Sequence, residues 1–167
     1  MKKTFIIICL SFISILAAKS HSPLGKGNQQ LNAGIGFSGW GIPVYVGLDF
    51  GVHPDISLGI EGSIRSYKED YHDANYKSSI FGLSFNGNYH FNRVLEIPKD
   101  WDLYAGLNIG YYFWATSPDY PGDASSGVGL GAQIGGRYFF KNNFGLNLEL
   151  GGSNAFSGGK FGITYIF

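Results

Sequence analysis

The chain has almost no sulfur and few charges. Its 167 residues include one cysteine, Cys9, and only 14 % are charged, against about 25 % in typical soluble domains. Cys9 lies inside the first apolar stretch. Everything after that stretch is therefore without a disulfide, a cysteine metal site or thiol chemistry. Basic and acidic residues balance at 12 and 12. No basic face is present, so nucleic acid is excluded as a partner. After the first twenty residues no run of 18 apolar residues occurs, which rules out a spanning helix. Helix-period patterning is absent as well.

The abundant residues are glycine and aromatics: 26 Gly, 14 Phe and 11 Tyr. That mix suits a greasy exterior and a cramped interior. Residues 1–20 read as a signal peptide. Lys2 and Lys3 give a positive start, Thr4 to Leu16 is a short apolar run, and Ala17–Ala18–Lys19–Ser20 offers small residues for cleavage. The cut is placed after Ser20, with Ala18 as the alternative. Removing Lys2, Lys3 and Lys19 leaves nine basic against twelve acidic residues, a net charge of −3.

From Leu31 onward apolar and polar or glycine residues alternate in eight successive segments. Val44, Val46, Leu48 and Phe50 interleave with Tyr45, Gly47 and Asp49; Leu103, Ala105, Leu107 and Ile109 interleave with Tyr104, Gly106 and Asn108. Side chains alternate between the two faces of a strand, so each segment has one apolar face. Strands of about 9–11 residues match a tilted crossing of a bilayer, and in lipid only a closed barrel satisfies the backbone of strands. Short turns are expected at Pro54–Asp55 and Asn142–Asn143, with a longer one over Asn92 to Asp100. The opposite end carries Ser38–Pro43, Tyr67–Lys77, Ala115–Ser126 and Gly151–Ser157. An aromatic girdle is expected at each end, with Trp40, Phe81, Tyr111, Phe113 and Trp114 on the long-loop side.

With these segments the chain resembles the small OmpA/OmpX-type outer-membrane β-barrels. The ending Phe161–Gly162–Ile163–Thr164–Tyr165–Ile166–Phe167 carries the resemblance most strongly. It implies an all-β fold: an eight-stranded antiparallel up-and-down transmembrane β-barrel over residues 27–167, after the signal peptide. It implies residence in the bacterial outer membrane, with outer-membrane lipid and the barrel-assembly machinery as partners. Phe161, Ile163, Tyr165 and Phe167 would form the assembly signal. A lipocalin-like soluble barrel is the rival, with an apolar inside and a wet outside.

Eight strands leave an interior that side chains can fill. Asp49, Glu61, Arg65, Arg137, Glu149 and Lys160 fall on the polar face and should form a charge network, since a buried charge needs a partner. Counting from the turns places Arg137 opposite Glu149 and Asp49 beside Glu61, with Arg137 reaching across towards that second pair. A plugged lumen with a structural or surface-interaction role is the first reading; a narrow passive channel and a lipid-modifying enzyme are the others. No cofactor and no metal is expected. None of His21, His53, His72 and His90 sits in a His-x-Ser arrangement on a strand face, so no catalysis is expected. Tyr67, Tyr71, His72 and Tyr76 lie in the most distinctive exposed segment and are the candidate contacts to an extracellular ligand.

Overall fold

The computed structural model describes residues 21–39, 41–71, 74–116, 125–153 and 157–167, with side chains described except at 67–71, 74–77 and 116. The proposed signal peptide, Trp40 and His72 lie outside these residues. Eight strands follow in order: β1 (Gln29–Ser38), β2 (Val44–His53), β3 (Ile56–Tyr71), β4 (Ala74–His90), β5 (Trp101–Thr116), β6 (Gly127–Lys141), β7 (Phe144–Ser153) and β8 (Ser157–Ile166). Each pairs antiparallel with its neighbour, and β8 returns to β1 to close the barrel.

The faces are inverted relative to a soluble protein. Leu107 is 71 % exposed and Ile134 60 %, whereas Asp102 and Thr164 are fully buried and Arg137 is 2 % exposed. An apolar outside around a polar inside needs lipid as its solvent. The lipocalin-like arrangement demands the opposite.

Register corrects two expected pairings. Arg137 pairs with Asn147, and Glu149 with Gly135. Asp49 pairs with Gly59, and Glu61 with Gly47. The reason is parity. At both short turns the strands are joined by two residues, with Lys141 against Phe144 and His53 against Ile56. Continued without interruption, such a ladder sets every lumen residue against a lipid-facing one. A one-residue slip reverses all faces, so a bulge must follow. It lies between Phe139 and Lys141 in β6 and between Gly51 and His53 in β2. Parity is restored two residues away from the pairing expected of a three-residue loop.

The wall has unequal height. β3 to β6 run 15–17 residues, the other four strands 10. The segment Tyr67–Lys77, expected as a loop, is instead mostly ladder: pairing of β3 with β4 continues from Tyr67↔Ser78 to Tyr71↔Ala74. Polar residues on both faces mark a ladder that has left the membrane, not one that has ended. Trp114 is also reassigned. It pairs with Ile80, which is fully buried. Paired residues share a face, so Trp114 belongs to the lumen side rather than to the lipid girdle.

Glycine makes room inside. Gly135 faces Tyr104 across β5–β6, and a Cβ there would overlap the Tyr104 ring. Gly59 stands opposite Asp49 in the same way. We expect Gly135→Ala to lower unfolding stability by about 1–3 kcal/mol, the usual cost of overpacking. Gly62→Ala, where a Cβ meets nothing within 4 Å, should leave it unchanged. Urea unfolding in lipid vesicles, followed by the heat-dependent gel shift of the folded barrel, checks both.

Candidate functional site

The lumen holds two stacked nodes, each a cation between two carboxylates. In the first, Arg137 on β6 donates from Nη1 to Asp102 Oδ2 at 2.9 Å and from Nη2 to Asp49 Oδ2 at 2.7 Å. All three side chains are at least 96 % buried. Arg137 also sits over the Tyr104 ring, 4.2 Å from its centroid, an arrangement that favours a desolvated guanidinium. In the second node, Lys160 on β8 meets Glu61 Oε2 and Glu149 Oε1, each at 2.7 Å. Tyr104 Oη donates to Glu149 Oε2 at 2.9 Å. Tyr104 thus touches both nodes.

Each node carries one negative charge in excess, and neutral donors offset it. Asn32 Nδ2 donates to Asp49 at 3.0 Å. His90 Nδ1 lies 2.8 Å from Asp102 Oδ1, and His90 Nε2 lies 3.0 Å from Ser57 Oγ. A carboxylate paired to arginine only accepts, so a proton on Nδ1 faces Asp102, and Nε2 lies within hydrogen-bond distance of the Ser57 hydroxyl. Ser57, His90 and Asp102 stand on adjacent strands β3, β4 and β5. A search for His and Ser on one strand misses them; the signal was His90 sharing the inward phase of Asn86 and Asn88.

This array has the connectivity of an acyl-transfer triad but not its access. Ser57 and Asp102 are fully buried, His90 is 1 % exposed, and neither lumen cavity reaches Ser57. Asp102 is also committed to Arg137. What the array can do is fix three strands at fixed spacing.

Four of the expected network residues, Asp49, Glu61, Glu149 and Lys160, join Arg137 in the nodes, but in different pairs from those expected. Arg137 reaches Asp49, yet Glu61 belongs to Lys160. Arg65 lies in neither node; its Nη1 donates to Ser38 Oγ at 3.2 Å, nearer the tall end. Phe161, Ile163, Tyr165 and Phe167 all point to lipid, 41–59 % exposed. The positions Tyr67, Tyr71 and Tyr76 belong to the raised β3–β4 hairpin. Missed from sequence were Tyr104, Tyr45, His90 and Ser57, because a polar inward residue does not announce its partner.

Space in the lumen is small. An upper cup of about 120 Å³, open towards the tall end, has Lys160, Glu61 and Glu149 among its lining residues. Between the two nodes is a cavity of about 10 Å³, lined among others by Lys160, Tyr104 and Arg137. At the short-turn end residues 22–27 fold back into the mouth. Leu24 is 1 % exposed, Gly27 N donates to Gly51 O at 2.7 Å, and Gly25 O occupies the space a Cβ of Gly51 would take.

Residues 5–165 match the profile of the outer membrane protein beta-barrel domain. The chain belongs to that family. It is an integral protein of the bacterial outer membrane. Solved barrels of similar shape share little sequence with it. The N-terminal β-barrel domain of Pseudomonas aeruginosa OprF superposes with a TM-score of 0.62 at 14 % identity, covering 86 % of this chain and 99 % of that one. Pseudomonas aeruginosa OprG gives 0.69 at 8 %, covering 89 % and 98 %. Ail, the attachment invasion locus protein of Yersinia pestis, gives 0.53 at 15 %, covering 85 % and 99 %. No curated protein sequence matches the chain. In this family short turns face the periplasm and the tall end faces outward.

Removing Arg137 leaves Asp49 and Asp102 facing each other without their cation. We expect Arg137→Ala to cost about 3–5 kcal/mol, and His90→Ala about 1–3 kcal/mol from the lost bond and the orphaned Ser57 and Asp102 oxygens. Removing the unpaired charges by adding Asp49→Asn and Asp102→Asn should recover part of the Arg137→Ala loss. Urea midpoints of these three variants in vesicles test the coupling.

Proposed function

We propose that this protein is a closed outer-membrane barrel whose lumen is a structural plug and whose activity lies in contacts made above the membrane. One observation carries this reading: two ion-pair nodes lie in series across the lumen, with about 10 Å³ between them. A hydrated ion does not fit through such a stack. The folded-back residues 22–27 add a third obstruction.

The contact surface is the raised hairpin of β3 and β4. Tyr67, Tyr71, His72 and Tyr76 are its proposed contact residues towards an extracellular ligand. A relative in shape, Ail of Yersinia pestis, has been crystallised with the heparin analogue sucrose octasulfate, so a barrel of this kind is compatible with ligand binding. No catalytic role is assigned; the burial of Ser57 is the support for that. Residues 1–20 are proposed to be the export signal, and Phe161, Ile163, Tyr165 and Phe167 the signal read by the barrel-assembly machinery.

The upper cup favours a second reading, a narrow channel entered from outside, in which the Lys160 node is the first barrier and the Arg137 node the second. Planar-bilayer conductance separates the two. For the closed barrel the native protein gives no discrete steps. Lys160→Ser and Arg137→Ser each leave one node intact and stay silent, and the double variant that also lacks residues 22–27 conducts. Discrete steps from the native protein overturn the closed reading in favour of the channel.

A further inference from the structure

The periplasmic end presents an apolar feature that neither the lumen nor the tall rim explains. Two of its three strand connections are two-residue turns, but β4 and β5 are joined by residues 91–100. This longer segment is ordered by its own bonds. Leu95 N donates to Phe91 O at 2.9 Å, Ile97 N to Asn92 O at 2.9 Å, and Trp101 N to Pro98 O at 2.9 Å. Asn92 Nδ2 donates to Trp101 O at 2.5 Å, and Arg93 pairs with Asp55. Glu96 takes φ 51°, the left-handed conformation that ends a helical turn. Asn92 and Ile97 are buried against the barrel.

Held in this way, the segment leaves Val94 62 % and Leu95 61 % exposed. Their exposure is imposed by the geometry of the turn. The bond from Leu95 to Phe91 is one turn of helix, and residues four apart on a helix share a side. Phe91 continues the lipid-facing phase of β4, its ring edge-on to Tyr89 at 5.2 Å. Leu95 therefore prolongs the lipid-facing column beyond the end of the strand, with Val94 beside it. On the next strand Trp101 lies tilted against Tyr138, ring centroids 4.8 Å apart, at the same level of the lipid-facing wall. Arg93 and Glu96 bracket the apolar pair, with Lys99 and Asp100 further on, and all four are exposed.

We propose that this turn is a foot seated in the periplasmic leaflet of the outer membrane: Val94 and Leu95 enter the acyl region, and Arg93 and Lys99 lie at the phosphate level. The occupant is phospholipid because the apolar pair is continuous with the lipid-facing wall, and the charged groups around it are ones that sit at the headgroup level of interfacial segments. The foot extends the wall where β4 and β5 end, and it holds the barrel against vertical displacement and tilt. It is independent of whether the lumen conducts.

The test uses the full chain with Cys9→Ser, carrying either Leu95→Cys or, as a control in the two-residue β6–β7 turn, Asn143→Cys. Each is labelled with an environment-sensitive nitrobenzoxadiazole probe and folded into phosphatidylcholine vesicles with or without brominated acyl chains. The heat-dependent gel shift verifies folding of both. The foot predicts blue-shifted emission at position 95 and quenching by brominated lipid at least about twofold stronger than at position 143. Equal emission and equal quenching at the two positions in folded protein overturn it. A label at position 94 repeats the measurement, so that a local disturbance by one label does not decide the result. The Val94→Ser/Leu95→Ser variant, which removes no buried contact, should fold normally but show weaker vesicle-dependent protection of Lys99 from amine modification. Unchanged protection of Lys99 counts against the foot.

Discussion

Everything in this barrel depends on one requirement: no backbone N–H or C=O can be left unpaired in hydrocarbon. An open sheet of seven or eight strands would leave two edges, each unpaired residue costing several kcal/mol. The β1–β8 ladder removes both edges, running from Gln30↔Ile166 to Ser38↔Gly158. Closure then fixes parity around the whole ring, because a single wrong-phase strand would present charges to lipid and leucines to the lumen. The bulges at Gly51/His53 and Phe139/Lys141 follow from this constraint. They correct two turns whose length alone would have reversed the faces.

Closure also fixes the interior. Eight strands enclose a lumen narrow enough that every inward side chain must share space with its cross-strand partner. The solution is asymmetric pairing: Tyr104 against Gly135, Asp49 against Gly59, Asn88 against Gly106. Glycine here serves close approach, since its β-strand backbone needs no special conformation. The charges obey the same economy of space. Each cation takes two carboxylates; the second oxygens of Asp102 and Glu149 go to His90 and Tyr104, and Asn32 shares with Arg137 the Oδ2 of Asp49. Neutral hydrogen-bond donors can finish the compensation because they bring no further charge to desolvate.

Strand number, the two faces, the short turns and the set of inward charges were legible in the sequence, since all of them follow from period two alone. Partner identity was not. Arg137 lies opposite Asn147 rather than Glu149 because a bulge leaves no mark in composition, and two registers of equal parity fit the same pattern. Lys160 faces its cross-strand partner Glu149 on β7 but also reaches Glu61 on β3, and that second contact crosses the ring, which no strand-by-strand count supplies. The Ser57–His90–Asp102 array was hidden for the same reason, its members being 33 and 12 residues apart. The hairpin above β3 and β4 was read as a loop because its polarity was taken as loss of ladder, when it marks only the height at which the ladder leaves lipid.

The two ends of the barrel differ because they solve different problems. Outside, β3 to β6 rise above the shorter strands, so β3 residues beyond Ile64 pair with β4 but not with β2. Their backbone on that side has no strand partner among the described residues, which water tolerates and hydrocarbon does not. The tall side is therefore confined to the aqueous exterior, where a one-sided ladder can meet a ligand without cost to the membrane-spanning wall. Inside, the N-terminal residues fill the mouth and the β4–β5 turn lies against the wall's lower edge, so the short end is shaped by packing and lipid. A barrel with a close-packed, hydrogen-bonded centre transmits little between these ends. The proposed recognition at the rim and the proposed anchorage at the base would then be free to vary separately, provided that Tyr104 and the two cation nodes it joins remain in place.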